Sequence, residues 1–275
     1  MAVLDTGVAG DHPALAGRIT EGWEFDFATR TPRRQKAIVD TQGHGTHVAG
    51  LVCGKAVGAA PGAKVISAVM LPRGHGSMVN FLIALEWAAA RPEIQIVNVS
   101  AGLFTYTPAL LEVTTDLMAL GLLPVVAVGN EGPDTNRTPG NYPTVISVGA
   151  SDRNNRVAGF SGGGRMVVGN QTYSVPAVVA PGAGVYSCVQ GGGYEAWDGT
   201  SMAAPVVSAV AALMVEKYPD ITVATLRGDL YAAALDLGLP PDRQGRGLVQ
   251  VTGALNHATR IHRAAEGRLG TRRKA

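Results

Sequence analysis

Several things are scarce in this chain of 275 residues, and each scarcity removes a class of protein. Cysteine occurs only as Cys53 and Cys188, which caps the disulfides at one and excludes a small fold stapled by a cysteine framework. Charged residues make up 16 % against 46 % hydrophobic ones, a balance that excludes a disordered polymer and supplies enough apolar surface for a sizeable core. An excess of one sign of charge is also missing. The formal net charge is +2, so neither nucleic acid nor an acidic membrane surface is an expected partner. No apolar run reaches 18 residues, and no membrane-spanning helix is expected. The N-terminus shows no secretory apolar region. With so little cysteine, the expected compartment is a reducing, cytoplasmic one, or a secreted one if the chain is a processed fragment.

Glycine and proline are plentiful instead, at 36 and 16, and they punctuate short apolar runs without forming a low-complexity block. Strand and helix patterns alternate, which predicts an α/β fold with a mostly parallel sheet covered on both faces. Expected strands are 2–4, 64–70, 94–100, 124–128, 145–149 and 178–180; expected helices are 44–53, 79–90, 108–120, 201–216 and 223–234. In the second helix, Phe81, Leu82, Leu85 and Ala89 recur at helical spacing and mark its buried face. Residues 166–168 and 171–173 read as arms of a hairpin around Gly169 and Asn170, a surface excursion between core elements. One domain over 1–256 is expected, followed by a basic tail over 257–275 whose cluster, Arg260 to Lys274, reads as a solvated terminus.

Three segments carry chemistry. In VLDTG, residues 3–7, Asp5 ends a buried strand, at the edge where open α/β sheets place ligand crevices. It reads either as a strand-end turn residue or as a functional carboxylate. An aspartic peptidase would need a second such segment, and the sequence has none. In DTQGHGTHVAGLV, residues 40–52, His44 and His47 stand three apart at a helix start. Zinc-peptidase helices place a carboxylate between their histidines, whereas here Gly45 and Thr46 intervene. His44, flanked by glycine, fits the lip of a cleft, and His47 a buried and satisfied position. In GTSMAAP, residues 199–205, Ser201 opens a long apolar helix and reads as an N-cap or as a nucleophile. A serine hydroxyl needs a base to take its proton, and the base needs a third group to fix its tautomer. Asp5, His44 and Ser201 supply the three types, and their chain order excludes an α/β-hydrolase elbow, which runs Ser, Asp, His through GxSxG.

VLDTG, HGTHVAG and GTSMAAP, with VAVGNEG at 126–132 between the last two, resemble the signature blocks of the subtilisin-like serine peptidases, the subtilases. The likeness covers roughly residues 2–254. It implies the three-layer subtilisin-like fold and endopeptidase chemistry on protein or peptide substrates through an acyl-enzyme, with no cofactor for the chemical step. By the same resemblance Asp5 orients His44, His44 is the base and then the acid, Ser201 attacks, and Asn130 donates to the oxyanion beside the Ser201 N–H. Ser100, Ala101 and Gly102, facing Gly129, would pair with the substrate and border the pocket for the side chain before the cut; a second backbone rail would lie near Arg73, Gly74 and Gly76. Leu103 stands where the family often has another glycine. Arg137 and Thr138 fall near the expected pocket floor, with Arg137 either solvated or lining the pocket and selecting an acidic or polar residue. The loop that often binds calcium is shortened to GKAVGAAPG, residues 54–62, without a carboxylate, so no metal is predicted there. Relatives usually carry a further segment before the first strand, so a propeptide or N-terminal segment is an expected partner. A peptide-binding relative without chemistry would show a substitution among Asp5, His44, Ser201 and Asn130, and none is substituted.

Overall fold

The computed structural model describes residues 1–259, so the basic cluster from Arg260 onward lies outside the described residues. Its centre is one sheet of eight strands: β1 (Ala2–Asp5), β2 (Ile19–Asp26), β3 (Thr31–Arg34), β4 (Val65–Val69), β5 (Ile96–Val99), β6 (Leu123–Ala127), β7 (Ile146–Ser151) and β8 (Val178–Pro181). They lie side by side as β8-β7-β6-β5-β1-β4-β2-β3, parallel throughout except for the β2–β3 pair at one edge. Ala2 on β1 pairs with Ile66 on β4 and with Val97 on β5. The chain therefore first builds outward on one side of β1 and then on the other, which opens a crevice at the carboxyl ends of β1 and β5.

Alternation along each strand sends side chains to two cores. Leu4 and Val99 pack with Phe81 and Leu85 of α2 (Met78–Ala89) and Leu117 of α3 (Leu111–Ala119). On the opposite face Val125 and Val148 pack with Val207, Val210 and Met214 of α4 (Thr200–Lys217), supported by α5 (Val223–Ala232). Beside α4, α1 (His44–Cys53) packs Val48 and Val52 against Val3 and Val65. The result is three layers, helices on both sides of a mostly parallel sheet, as the alternating pattern predicts.

All six expected strands are in this sheet and all five expected helices form, with ends displaced by a few residues. The Gly164–Val168 and Gln171–Val175 hairpin also forms. Three readings change. On α2, Phe81 and Leu85 are fully buried but Leu82 and Ala89 only half-buried, because Ile83, Ala84, Trp87 and Ala88 are also covered. Helix α4 has 18 residues at a mean hydropathy of 1.2, long and apolar enough by length and composition to cross a membrane. Its position explains this composition, since it packs against the sheet and α1 at once. At the C-terminal end a helix over 251–259 runs across the expected boundary at 256; Ala258 is buried in the second core and His257 is hydrogen-bonded to Asp229, so 257–259 belong to the packed unit.

Candidate active site

Asp5, the last residue of β1, is fully buried. Its Oδ1 accepts the Thr6 N–H at 2.7 Å and faces His44 Nδ1 at 2.8 Å, while Oδ2 is buried with no hydrogen-bond partner among the described groups. A nitrogen facing a carboxylate at that distance carries the proton, which leaves Nε2 of His44 as the free base. Burial pulls the His44 pKa down, but the charge and hydrogen bond of Asp5, with Asp40 behind, outweigh it and hold the imidazole above its ordinary 6.5.

The close approach of Asp5 and His44 depends on Gly45. A Cβ there would come within 2.0 Å of the Gly7 carbonyl oxygen and 3.1 Å of Asp5 Cβ, so only glycine lets the first turn of α1 press against the turn that follows β1. Asp40, buried, fixes the loop leading into α1. Its Oδ1 accepts from Thr6 Oγ1 and from the Gln42 and Gly43 N–H groups, and its Oδ2 accepts from the N–H and hydroxyl of Thr46. Sequence reasoning passes over Asp40, although an acidic residue opening the histidine block is a visible signal. Trp197 gives no such signal, because a hairpin (Val185–Cys188 with Tyr194–Trp197) brings it in. Its ring stacks on His47 at 4.3 Å and lies 6.3 Å from the His44 ring. His47 is buried as expected but only half satisfied: Nε2 donates to the Glu195 carbonyl at 3.1 Å and Nδ1 has no partner. Burial lowers its pKa, so it is neutral near pH 7.

Ser201 stands in the first turn of α4. Pro205, one turn on, has no N–H to give the Ser201 carbonyl. Ser100 fills that gap: its hydroxyl donates to Ser201 O at 2.9 Å and is itself held by Asn98 Nδ2 at 3.0 Å. In return the Ser201 hydroxyl donates to the Ser100 carbonyl at 2.9 Å. No hydrogen bond joins Ser201 to His44, so the relay is formed between acid and imidazole but not yet between imidazole and hydroxyl. Both side chains border one cleft of about 420 Å³, which also takes in Ser100, Ala101, Gly102, Gly129 and Asn130.

Asn130 follows β6 and its Oδ1 accepts the Thr200 N–H at 2.8 Å and the Thr200 hydroxyl at 2.9 Å. The Thr200 N–H, which can only donate, settles which end of the amide is oxygen, so Nδ2 is free to donate. A Cβ on Gly199 would sit 3.5 Å from Asn130 Nδ2 and 3.6 Å from the Ser201 nitrogen. Both donors thus border one small volume, kept clear by glycine, and the helix itself provides no acceptor for an N–H in its first turn.

The other expected contacts divide. Gly74, Gly76 and Leu103 line the cleft, whereas Arg73 does not; it points out at φ +56°, its N–H donating to Thr41 Oγ1. Thr138 is fully buried behind the wall, its hydroxyl within 3.0 Å of both the Thr105 carbonyl and Asn141 Oδ1, with one proton to give to either. Arg137 lines the cleft and is ion-paired with Glu131, the two side chains still partly exposed. Cys53 and Cys188 are free and buried, and burial pushes the Cys53 thiol up to about 12, far from a reactive thiolate. Among the described residues there is no group of three or more His, Cys, Asp or Glu that could hold a metal ion.

Comparison with known proteins identifies the family. Residues 1–254 match the family model described as Subtilase family. Subtilisin E of Bacillus subtilis is 33% identical over 264 residues, covering 92% of this chain and 65% of its own length. An intracellular serine protease of Paenibacillus polymyxa is 34% identical over 277 residues, covering 95% of this chain and 81% of its own. Subtilisin-like protease PopC of Myxococcus xanthus is 34% identical over 267 residues, covering 86% and 55%. This chain thus spans just under two thirds of the first of these relatives, and on the match over residues 1–254 it belongs to the subtilase family.

Proposed function

We propose that the chain is a serine endopeptidase that hydrolyses peptide bonds in proteins or peptides through an acyl-enzyme. The observation that carries this reading is the 2.8 Å contact of His44 Nδ1 with buried Asp5, opening onto a cleft that also holds Ser201. Asp5 fixes the tautomer and steadies the imidazolium that forms. For the reaction the Ser201 hydroxyl leaves the Ser100 carbonyl for His44 Nε2, which takes its proton as Oγ bonds to the substrate carbonyl carbon. Asn130 Nδ2 and the Ser201 N–H receive the oxyanion. His44 then passes the proton to the leaving amine as the C–N bond breaks, and water repeats the sequence to free Ser201. In subtilisin itself, losing the asparagine donor lowers the rate about 10²- to 10³-fold, which sets the scale for Asn130.

Extended substrate backbone would pair with Ser100, Ala101 and Gly102 on one side and with the stretch of Gly74 to Gly76 on the other, the strand-addition mode of recognition. The chemical step calls for no cofactor. For structural calcium, residues 54–62 contain no carboxylate to bind it, and we place no metal there.

A fluorophosphonate probe tests the reading. The wild type is expected to label and to cleave an unfolded protein substrate; Ser201→Ala, with an unchanged circular dichroism spectrum, is expected to do neither, a loss of about 10⁶-fold on subtilisin's own scale. A well-folded wild type that takes no label would leave only a peptide-binding protein of the same fold.

A further inference from the structure

In the cleft, between the walls Ser100–Gly102 and Ala127–Gly129, the stem of this chain's own Arg137 lies between Gly102 and Gly129. A Cβ on Gly102 would lie 2.6 Å from Arg137 Cβ and 3.5 Å from its Cδ; one on Gly129 would lie 3.1 Å from Cγ and 3.6 Å from Cδ. The methylene stem therefore stands in van der Waals contact with both walls, and even a methyl group on either would displace it. The head group is equally committed. Nη1 donates to the Gly102 carbonyl at 3.3 Å, Nε donates to Glu131 Oε2 at 3.2 Å, and Nη2 donates to Glu131 Oε1. Cζ lies 3.9 Å from the centre of the Phe104 ring. Glu131 is in turn anchored by the Asn130 N–H at 3.1 Å, and the guanidinium holds its carboxyl below the usual range.

Resting on the peptidase reading above, we propose that Arg137 is a built-in plug that makes the subsite for the residue before the scissile bond shallow, so that the enzyme cuts after small side chains such as alanine, glycine and serine. Large apolar side chains meet the stem. Acidic ones find the guanidinium already neutralised by Glu131, and would bring a second carboxylate beside the first. An acid-selective pocket needs an unpaired cation, and Arg137 is paired.

Three fluorogenic peptides differing only in the residue before the cut, Ala, Phe or Glu, test the plug through ratios of kcat/KM. The wild type is expected to favour Ala over both others by at least about tenfold, and Arg137→Ala to raise the Phe to Ala ratio by about 10- to 200-fold, the range that filling or emptying a methylene-sized space commands. Arg137→Met keeps the stem and removes the charge; its Phe to Ala ratio should stay near the wild-type value, whereas a pocket governed by charge would respond alike to both substitutions. Wild-type preference for Phe or Glu overturns the plug, as does a Phe to Ala ratio that Arg137→Ala leaves unmoved in a preparation that still labels with fluorophosphonate. Absence of labelling in the wild type overturns the peptidase reading and the plug together, so the two failures are told apart.

Discussion

The chemistry at single residues rests on an uneven contest around His44. Burial disfavours the imidazolium, but Asp5, whose second carboxylate oxygen has no donor to share its charge, favours it more. Because the base works only when deprotonated, activity should rise as pH climbs through the His44 pKa, and that limb should lie above 6.5. Asp5→Asn removes the attraction and leaves the desolvation, so the limb should move to lower pH. The same change frees the imidazole to adopt the wrong tautomer and should lower kcat by about 10⁴-fold, the scale known for triads of this kind. A pH profile of kcat/KM for both proteins checks this. A limb that stays in place would mean that Asp5 positions His44 without setting its charge.

Elements deliver these residues through close approaches of backbone, and glycine marks where they occur. Gly45→Ala would push the start of α1 off the Gly7 carbonyl and lengthen the Asp5 to His44 contact; a misplacement of about 1 Å costs on the order of 10²-fold in rate. Gly228→Ala makes the same chemical change inside α5, where the added methyl meets nothing within 4 Å, and should instead raise stability by about 0.4–1 kcal/mol. Assays and thermal melts of the pair distinguish a steric effect at the site from a general tolerance of alanine. This contrast also shows what the sequence makes legible. Asp5, His44, Asn130 and Ser201 are readable because their short blocks are packed with constraints of this kind. Because both faces are buried, most residues of the central strands are apolar, polar ones such as Ser67, Asn98 and Ser147 are rare interruptions, and the strands are readable. The edge strands β2 and β3 are not, since ITEGWEFD alternates buried and exposed positions irregularly and TPRR is exposed throughout. For Arg137 the resemblance marks the pocket floor, but its pairing with Glu131 is not legible. Its place is set by the pairing of Leu103–Phe104 with Arg137–Thr138 and by Glu131, contacts that close only when two loops meet.

At the scale of the whole molecule, α4 joins stability to function: Ser201 sits at its first turn, and thirteen residues further along, about 20 Å at helical rise, Met214 is wholly buried in the second core. The two ends are tied to the sheet separately. Near Ser201, a buried polar chain runs from Ser208 through Asn98 to Ser100 and the Ser201 carbonyl, fixing the helix to the end of β5. The Met214 side chain lies in the apolar cluster of the second core, away from that chain. Met214→Ala should therefore cost about 2–5 kcal/mol, the usual loss for a buried residue of that size, and lower the urea midpoint without changing the slope. Since the polar chain holds the nucleophile in place independently, kcat/KM well below the new midpoint should remain within about twofold of wild type, a difference smaller than the 1.4 kcal/mol that one factor of ten represents. Parallel loss of stability and activity would show that core packing, and not the Asn98–Ser100 contact, determines where Ser201 stands.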